Sequence, residues 1–195
     1  MVLDERDFAY YYTLRTEARK RVVDALNRRI KTPEHRAVWR GITLGSIDSE
    51  ALKQARTEWP KFYGPNSHLG FDESWERLYY KFAATQSFFD LAIWQEYDGN
   101  KILQGMALGK PSKGKTHLTL HWIERSYAPT YFKGGILLPT LATAEEYAKL
   151  LGSERVLIKD PVDPTPFQQY GYAPFSGAIG GPARVRWLSK ELNYG

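Results

Sequence analysis

The chain has 195 residues, 43% of them hydrophobic, which is enough to bury one good core and short for two independent domains. It contains no cysteine, so disulfides, thiolate metal sites and a cysteine nucleophile are excluded, and a reducing compartment is permitted. Residues 1–8 are charged where a secretory signal needs an apolar stretch, and no run approaches the roughly 20 apolar residues of a membrane span. The expectation is a cytoplasmic protein without a membrane-embedded segment.

Net charge is +5, and residues 1–36 hold most of it, with nine Lys/Arg against six acids. Such a positive end attracts anionic partners, nucleic acid among them, or it is the solvated face of a helix. Over residues 4–30 apolar side chains including Phe8, Tyr11, Leu14, Ala18, Val22 and Ile30 recur at three- and four-residue spacings without glycine or proline. That pattern predicts a long amphipathic helix ending near Thr32-Pro33. It can pack on its own domain or on a second copy of the chain, so a homodimer is one expectation. The implied division is a basic helix over 1–36 and a domain over 37–195.

Residues 38–44 read as a strand, and Ser46 or Asp48 is placed to cap a helix over 50–59. A Gly/Pro/Asn-rich loop spans 61–70, followed by a helix over 71–85. Three β-rich runs come next, over 88–96, 102–108 and 117–124, with Asp98-Gly99 supplying the positive φ of a tight hairpin. The reading is an antiparallel meander. A helix over 135–151 ends at Gly152 and leads to a strand over 155–159. A proline-broken segment over 160–170, a short run over 172–175, a glycine-rich turn over 177–181 and a strand over 184–188 complete the order.

Two local motifs accompany that order. Pro129-Thr130-Tyr131-Phe132-Lys133-Gly134-Gly135-Ile136-Leu137 precedes the helix over 135–151, and Pro166-Phe167-Gln168-Gln169-Tyr170-Gly171-Tyr172 follows the strand over 155–159. Over residues 38–188 the chain resembles the GNAT acyltransferase superfamily, whose pyrophosphate-binding turn runs close to Pro-x-Tyr-Arg-Gly-x-Gly-Ile-Gly and whose later motif is Leu-Tyr-Glu-x-x-Gly-Phe. In the first motif the family arginine falls on Phe132 and the last glycine on Leu137. In the second, an asparagine aligns with Asp160 and the tyrosine that often protonates the departing thiolate aligns with Phe167. The resemblance implies a mixed, mostly antiparallel central sheet flanked by helices, an α/β (α+β) class, here with an extra N-terminal helix. It also implies an N-acyltransferase that takes acetyl-CoA or another acyl-CoA and a small-molecule or macromolecular amine.

Carried over residue by residue, Lys133, Gly134, Gly135, Ile136 and Ile123 would face the cofactor. Backbone N–H groups at a helix start point at a pyrophosphate, and glycines let the backbone approach it. Thioester aminolysis needs a base for the amine and an acid for the leaving thiolate. Glu124 is the expected base, because strand alternation sets Leu118, Leu120, Trp122 and Glu124 on one face. Its alternative is a strand-end carboxylate in solvent or paired with Arg125. Tyr170 and Asp160 are the other chemical groups. Ser126 and Tyr127 can offer hydroxyls to a substrate or serve as plain loop residues. His121, on the opposite face by the same alternation, is either a substrate contact or a packed imidazole. No His-Glu-x-x-His or phosphate-loop pattern is present, and no metal site is expected.

Two further readings stay open. Lys159-Asp160-Pro161 is similar to the Asp-Pro step of phage Mom-type DNA-modifying proteins, which would act on an exocyclic base amine. The third reading is a GNAT-fold module kept for binding alone.

Overall fold

The computed structural model describes residues 5–29, 32–63, 73–130, 132, 135–175 and 187–194. Its centre is a seven-stranded sheet in the order β1-β2-β3-β4-β5-β7-β6. The strands are β1 (Ile42–Gly45), β2 (Phe89–Tyr97), β3 (Asn100–Pro111), β4 (His117–Arg125), β5 (Arg155–Lys159), β6 (Ala173–Pro174) and β7 (Trp187–Glu191). All neighbours pair antiparallel except β4 and β5. The helices are α1 (Glu5–Arg29), α2 (Pro33–Trp39), α3 (Ser49–Thr57), α4 (Trp75–Ala83), α5 (Leu137–Leu150) and α6 (Thr165–Gln168). Among the described residues no helix is long and apolar enough to cross a membrane.

The meander forms as its turn chemistry requires. Asp98 and Gly99 sit at φ 52° and 74°, the doubly left-handed pair that matches the twist of a two-residue hairpin. Asp48 caps α3 by accepting from the Ala51 N–H at 2.8 Å, and Ser74 caps α4 by accepting from the Arg77 N–H at 3.3 Å.

The first strand starts later than the residue pattern predicts. Pro33 opens α2, where its fixed φ suits the first helical turn, and Val38 and Trp39 pack from that helix onto the core. Gly41 at φ 71° then turns the chain into β1, so the strand begins at Ile42. The last strand is described over Trp187–Glu191, running past the expected end at 188 because it pairs with β5 as far as Glu191, while residues 184–186 of the expected strand lie outside the described residues. The glycine-rich turn over 177–181 lies outside the described residues.

Apolar side chains fill both faces of the sheet. One core lies under α1 and α5 and contains Ala18, Phe89, Leu91, Leu118, Tyr147 and Val156. The other lies under α3 and α4 and contains Leu52, Trp59, Trp75, Phe82, Trp94 and Met106. The long helix α1 lies against α5 and β1 of its own chain. What holds it is a buried ionic cluster. Asp90 of β2, 1% exposed, is paired with Arg15 at 3.3 Å and Arg19 at 2.8 Å, and its second oxygen accepts from the Ile47 N–H at 2.8 Å. Arg15 also donates to the carbonyls of Gln86 and Phe88 at 2.9 and 3.0 Å.

This cluster corrects the reading of the basic N-terminal end. Arg15 and Arg19 are 3% and 6% exposed and do not belong to a surface patch. They are internal cations whose counterpart, Asp90, lies over seventy residues away. Burial is the main influence on Arg19, lowering its proton affinity, and the Asp90 charge opposes it. Removing the carboxylate would leave two cations buried without compensation, so Asp90→Ala should destabilise the fold by about 3–5 kcal/mol. Urea denaturation monitored by circular dichroism measures this directly.

Candidate active site

The site begins with a mismatch between two neighbouring strands. β4 pairs with β5 only from His117/Arg155 to Leu120/Ile158, while β4 runs on to Arg125 and β5 stops at Lys159. Beyond Leu120 the two strands part. Asp160, at φ 44°, turns the chain away from the sheet at that point, a left-handed conformation that aspartate tolerates better than most residues.

The wedge so formed holds a cavity of about 600 Å³. Its apolar wall is Leu120, Ile123, Ile136, Ile158 and Phe167, and its polar rim includes His121, Arg125, Lys159, Asp160 and Tyr170. Gly135 stands at the mouth, just before α5. A Cβ on Gly135 would come within 3.2 Å of the Phe132 carbonyl oxygen, so the close approach there depends on glycine. Among the described residues no side chain caps the start of α5 and no acid lies in its first turn, and Gly135, Ile136 and Leu137 line the cavity, so the positive end of the helix dipole lies at it.

The same strand carries an extra residue. β4 and β3 pair at Leu120/Gly109 and at Trp122/Leu108, so His121 has no partner and forms a bulge. The bulge corrects the expected alternation. Leu118 and Leu120 face the α1/α5 core, but after His121 the faces exchange, and Ile123 joins that core while Trp122 packs on the α3/α4 side. Glu124 therefore does not share a face with Leu118 and Leu120. His121 is not opposed to it either, since its ring stands edge-on to Phe82 of α4 at 5.2 Å.

Glu124 is 7% exposed, which removes the solvent-facing alternative. Its carboxylate accepts from the Trp75 indole N–H at 2.5 Å and from the Tyr63 hydroxyl at 2.7 Å. The Tyr63 phenol is pushed well above its ordinary range, by burial first and then by the Glu124 hydrogen bond and charge, so it remains a donor. Neither partner was foreseen from the residues. A signal existed for Trp75, because a buried indole needs an acceptor for its N–H, but nothing local pointed to a carboxylate forty-nine residues on.

The other expected residues divide between the cavity and its surroundings. Ile123, Ile136, Gly135, His121, Asp160 and Tyr170 all line the cavity, whereas Glu124, Ser126 and Tyr127 do not. Ser126 is buried, its N–H donating to the Gln104 carbonyl at 2.7 Å and its hydroxyl accepting from the Ala128 N–H at 3.1 Å. Tyr127 lies under the Arg125 guanidinium at 4.2 Å and edge-on to Tyr63. Lys133 and Gly134 lie outside the described residues. Phe132, at the position where the similar motif has arginine, is 2% exposed and packs edge-on against Trp39 at 5.3 Å, so the core has absorbed it.

No family model matches the chain, and no curated protein matches it. Solved structures do. Ard1 from Thermoplasma volcanium is 9% identical with a TM-score of 0.53, covering 78% of this chain and 99% of that one. An acetyltransferase of the GNAT family from Staphylococcus aureus Mu50 is 8% identical with a TM-score of 0.53, over 78% and 99% of the two chains. N-acetylglutamate synthase from Neisseria gonorrhoeae, solved with coenzyme A and N-acetyl-glutamate, is 15% identical with a TM-score of 0.51, over 78% of this chain and 35% of that one. At such identities the matches show a common fold, and the likeness to Mom-type proteins gains no support from them.

His121 offers a test of the wedge as drawn. Burial, and secondarily the charges of Lys159 and Lys110, lower its pKa from 6.5 to about 4. The unfolded chain therefore takes up this proton first, so the contribution is full above the ordinary value and is lost as pH falls toward 4. Between about pH 7 and pH 5 the wild type should lose more stability than His121→Phe in urea titrations, because the phenyl ring has nothing to protonate.

Proposed function

We propose that this chain, which has the GNAT acetyltransferase fold, is a divergent N-acyltransferase moving an acyl group from acetyl-CoA or another acyl-CoA to an amine. The observation that carries the reading is the parting of β4 from β5 beyond Leu120 and Ile158. Past that rung β5 no longer pairs with β4, and an extended, amide-bearing arm can enter the space between the two strands. The cavity is of the right order for such an arm, and its aliphatic wall suits a chain of methylenes and a thioester.

In this reading Gly135 and Ile136 present the start of α5 to the donor's phosphates, with Lys133 and Gly134 just before them, and Ile123 lines the arm. Glu124 receives the proton of the attacking amine, directly or through one water, while Tyr170 at the rim of the cavity returns a proton to the departing sulfur. Tyr63 and Trp75 orient the Glu124 carboxylate, because two donors leave it little rotational freedom. Asp160 borders the same space. His121 at the rim of the cavity, and Ser126 and Tyr127 just after Glu124 in the chain, would border the acceptor. The acceptor is an amine of unspecified size.

A second reading, a fold kept for binding alone, draws on the burial of Phe132 where the similar motif has a cation. Calorimetric titration with acetyl-CoA separates the two. Measurable binding that falls at least tenfold in Gly135→Val, with the melting temperature followed in parallel to show that the variant is folded, is the expected result. Absence of heat from the wild type would remove the acyl-CoA reading. Glu124→Gln should bind acetyl-CoA as the wild type does but transfer acyl groups about 10²–10⁴ times more slowly, the usual contribution of a positioned base.

A further inference from the structure

A second cavity, of about 680 Å³, lies in the groove between α1 and α5 and shares Gln169 and Tyr170 with the wedge. The two helices run antiparallel. Near the start of α1, Tyr11 bonds Lys115, whose carbonyl accepts from Ser153 just beyond the end of α5. Further along α1, Arg21 meets Glu146 at 3.7 Å. Seven residues advance a helix by about 10 Å. Continuing α1 from Arg21 to Arg28, and running α5 back from Glu146 toward its start, brings Arg28 level with the first turn of α5. Arg28 and Leu138 both line this second cavity.

The groove has an apolar floor of Val22, Leu26, Leu138, Leu141 and Ala142. Two of its acids are engaged. Glu145 is held by Lys190 at 2.8 Å and by the Tyr172 hydroxyl at 3.2 Å, and Glu146 by Arg21 and Lys149. Asp24 is the remaining acid of the wall. Arg28 and Arg29 are exposed at the last turn of α1, and among the described residues neither forms an ion pair. The cationic end of the groove therefore faces the uncapped start of α5, beside the mouth of the wedge.

We propose that this groove holds the phosphate-bearing nucleotide end of the acyl donor, with Arg28 and Arg29 pairing its phosphate groups and the aliphatic floor receiving the base. The inference rests on the acyl-CoA reading above. Two adjoining spaces, a wedge with an aliphatic wall and a groove whose end carries Arg28 and Arg29, correspond to a ligand with an uncharged arm at one end and a phosphorylated nucleotide at the other. Guanidinium groups suit this role because they bind phosphate oxygens bidentately, and Phe132, taken up by the core, supplies no charge.

The test is calorimetric titration of the full chain with coenzyme A at fixed ionic strength. Arg28→Gln/Arg29→Gln keeps helix-forming side chains and should weaken binding about tenfold or more, while Arg28→Lys/Arg29→Lys should recover most of the loss. The melting temperature of each variant is followed in parallel and should match the wild type. Unchanged affinity in the glutamine variant overturns the groove and leaves the acyl-CoA reading standing. A wild-type chain that does not bind coenzyme A overturns both.

Discussion

The architecture turns on four rungs of parallel pairing between β4 and β5 and on their absence beyond Leu120. A continuous sheet would satisfy every backbone group of β4 internally and leave no crevice. Ending β5 at Lys159, and turning the chain out through a left-handed Asp160, leaves the second half of β4, among the described strands, paired with β3 alone. The bulge at His121 belongs to the same constraint, because an extra residue increases local twist and re-aims the side chains that follow. One irregularity thus opens the cavity on one side and delivers Glu124 to the Trp75 and Tyr63 donors on the other.

The second organising feature is the anchoring of α1 by Asp90. Two buried arginines and a buried carboxylate carry a large desolvation cost, and the cluster is tolerable because its carboxylate oxygens are paired with cations or backbone N–H groups. Its consequence is positional. Tying the middle of α1 to β2 holds the helix across α5, and the tail of α1 then reaches the end of α5 that opens on the cavity. Cations near the chain start thereby become neighbours of a site built mainly from residues beyond 117.

Much of the fold was legible because the patterns are local. The period of α1, the Asp98-Gly99 turn, the Asp48 cap and the boundaries of β5 are each specified by residues a few positions apart. The misplaced start of β1 shows the limit of that logic. Val38 and Trp39 are as suited to a strand as to a helix, and Pro33 together with packing against the core decided for the helix. The candidate site was partly legible for a similar reason. Gly135, Ile123, Ile136, Asp160 and Tyr170 could be placed by motif spacing, and the structure brings them to one cavity.

Alternation along β4 was misread because a bulge leaves no mark in composition: His121 looks like any strand residue, and only pairing with Gly109 and Leu108 exposes the extra position. The roles of Arg15 and Arg19 were misread likewise, since a helix cation appears solvated until a remote acid is seen to meet it. By itself the amino-acid sequence determined most of the helix, strand and turn segments and their order along the chain, because those choices rest on short-range backbone preferences. Tertiary structure alone decided which carboxylate is gripped, which cations are internal and where the sheet opens, because each depends on partners brought together across long stretches of chain.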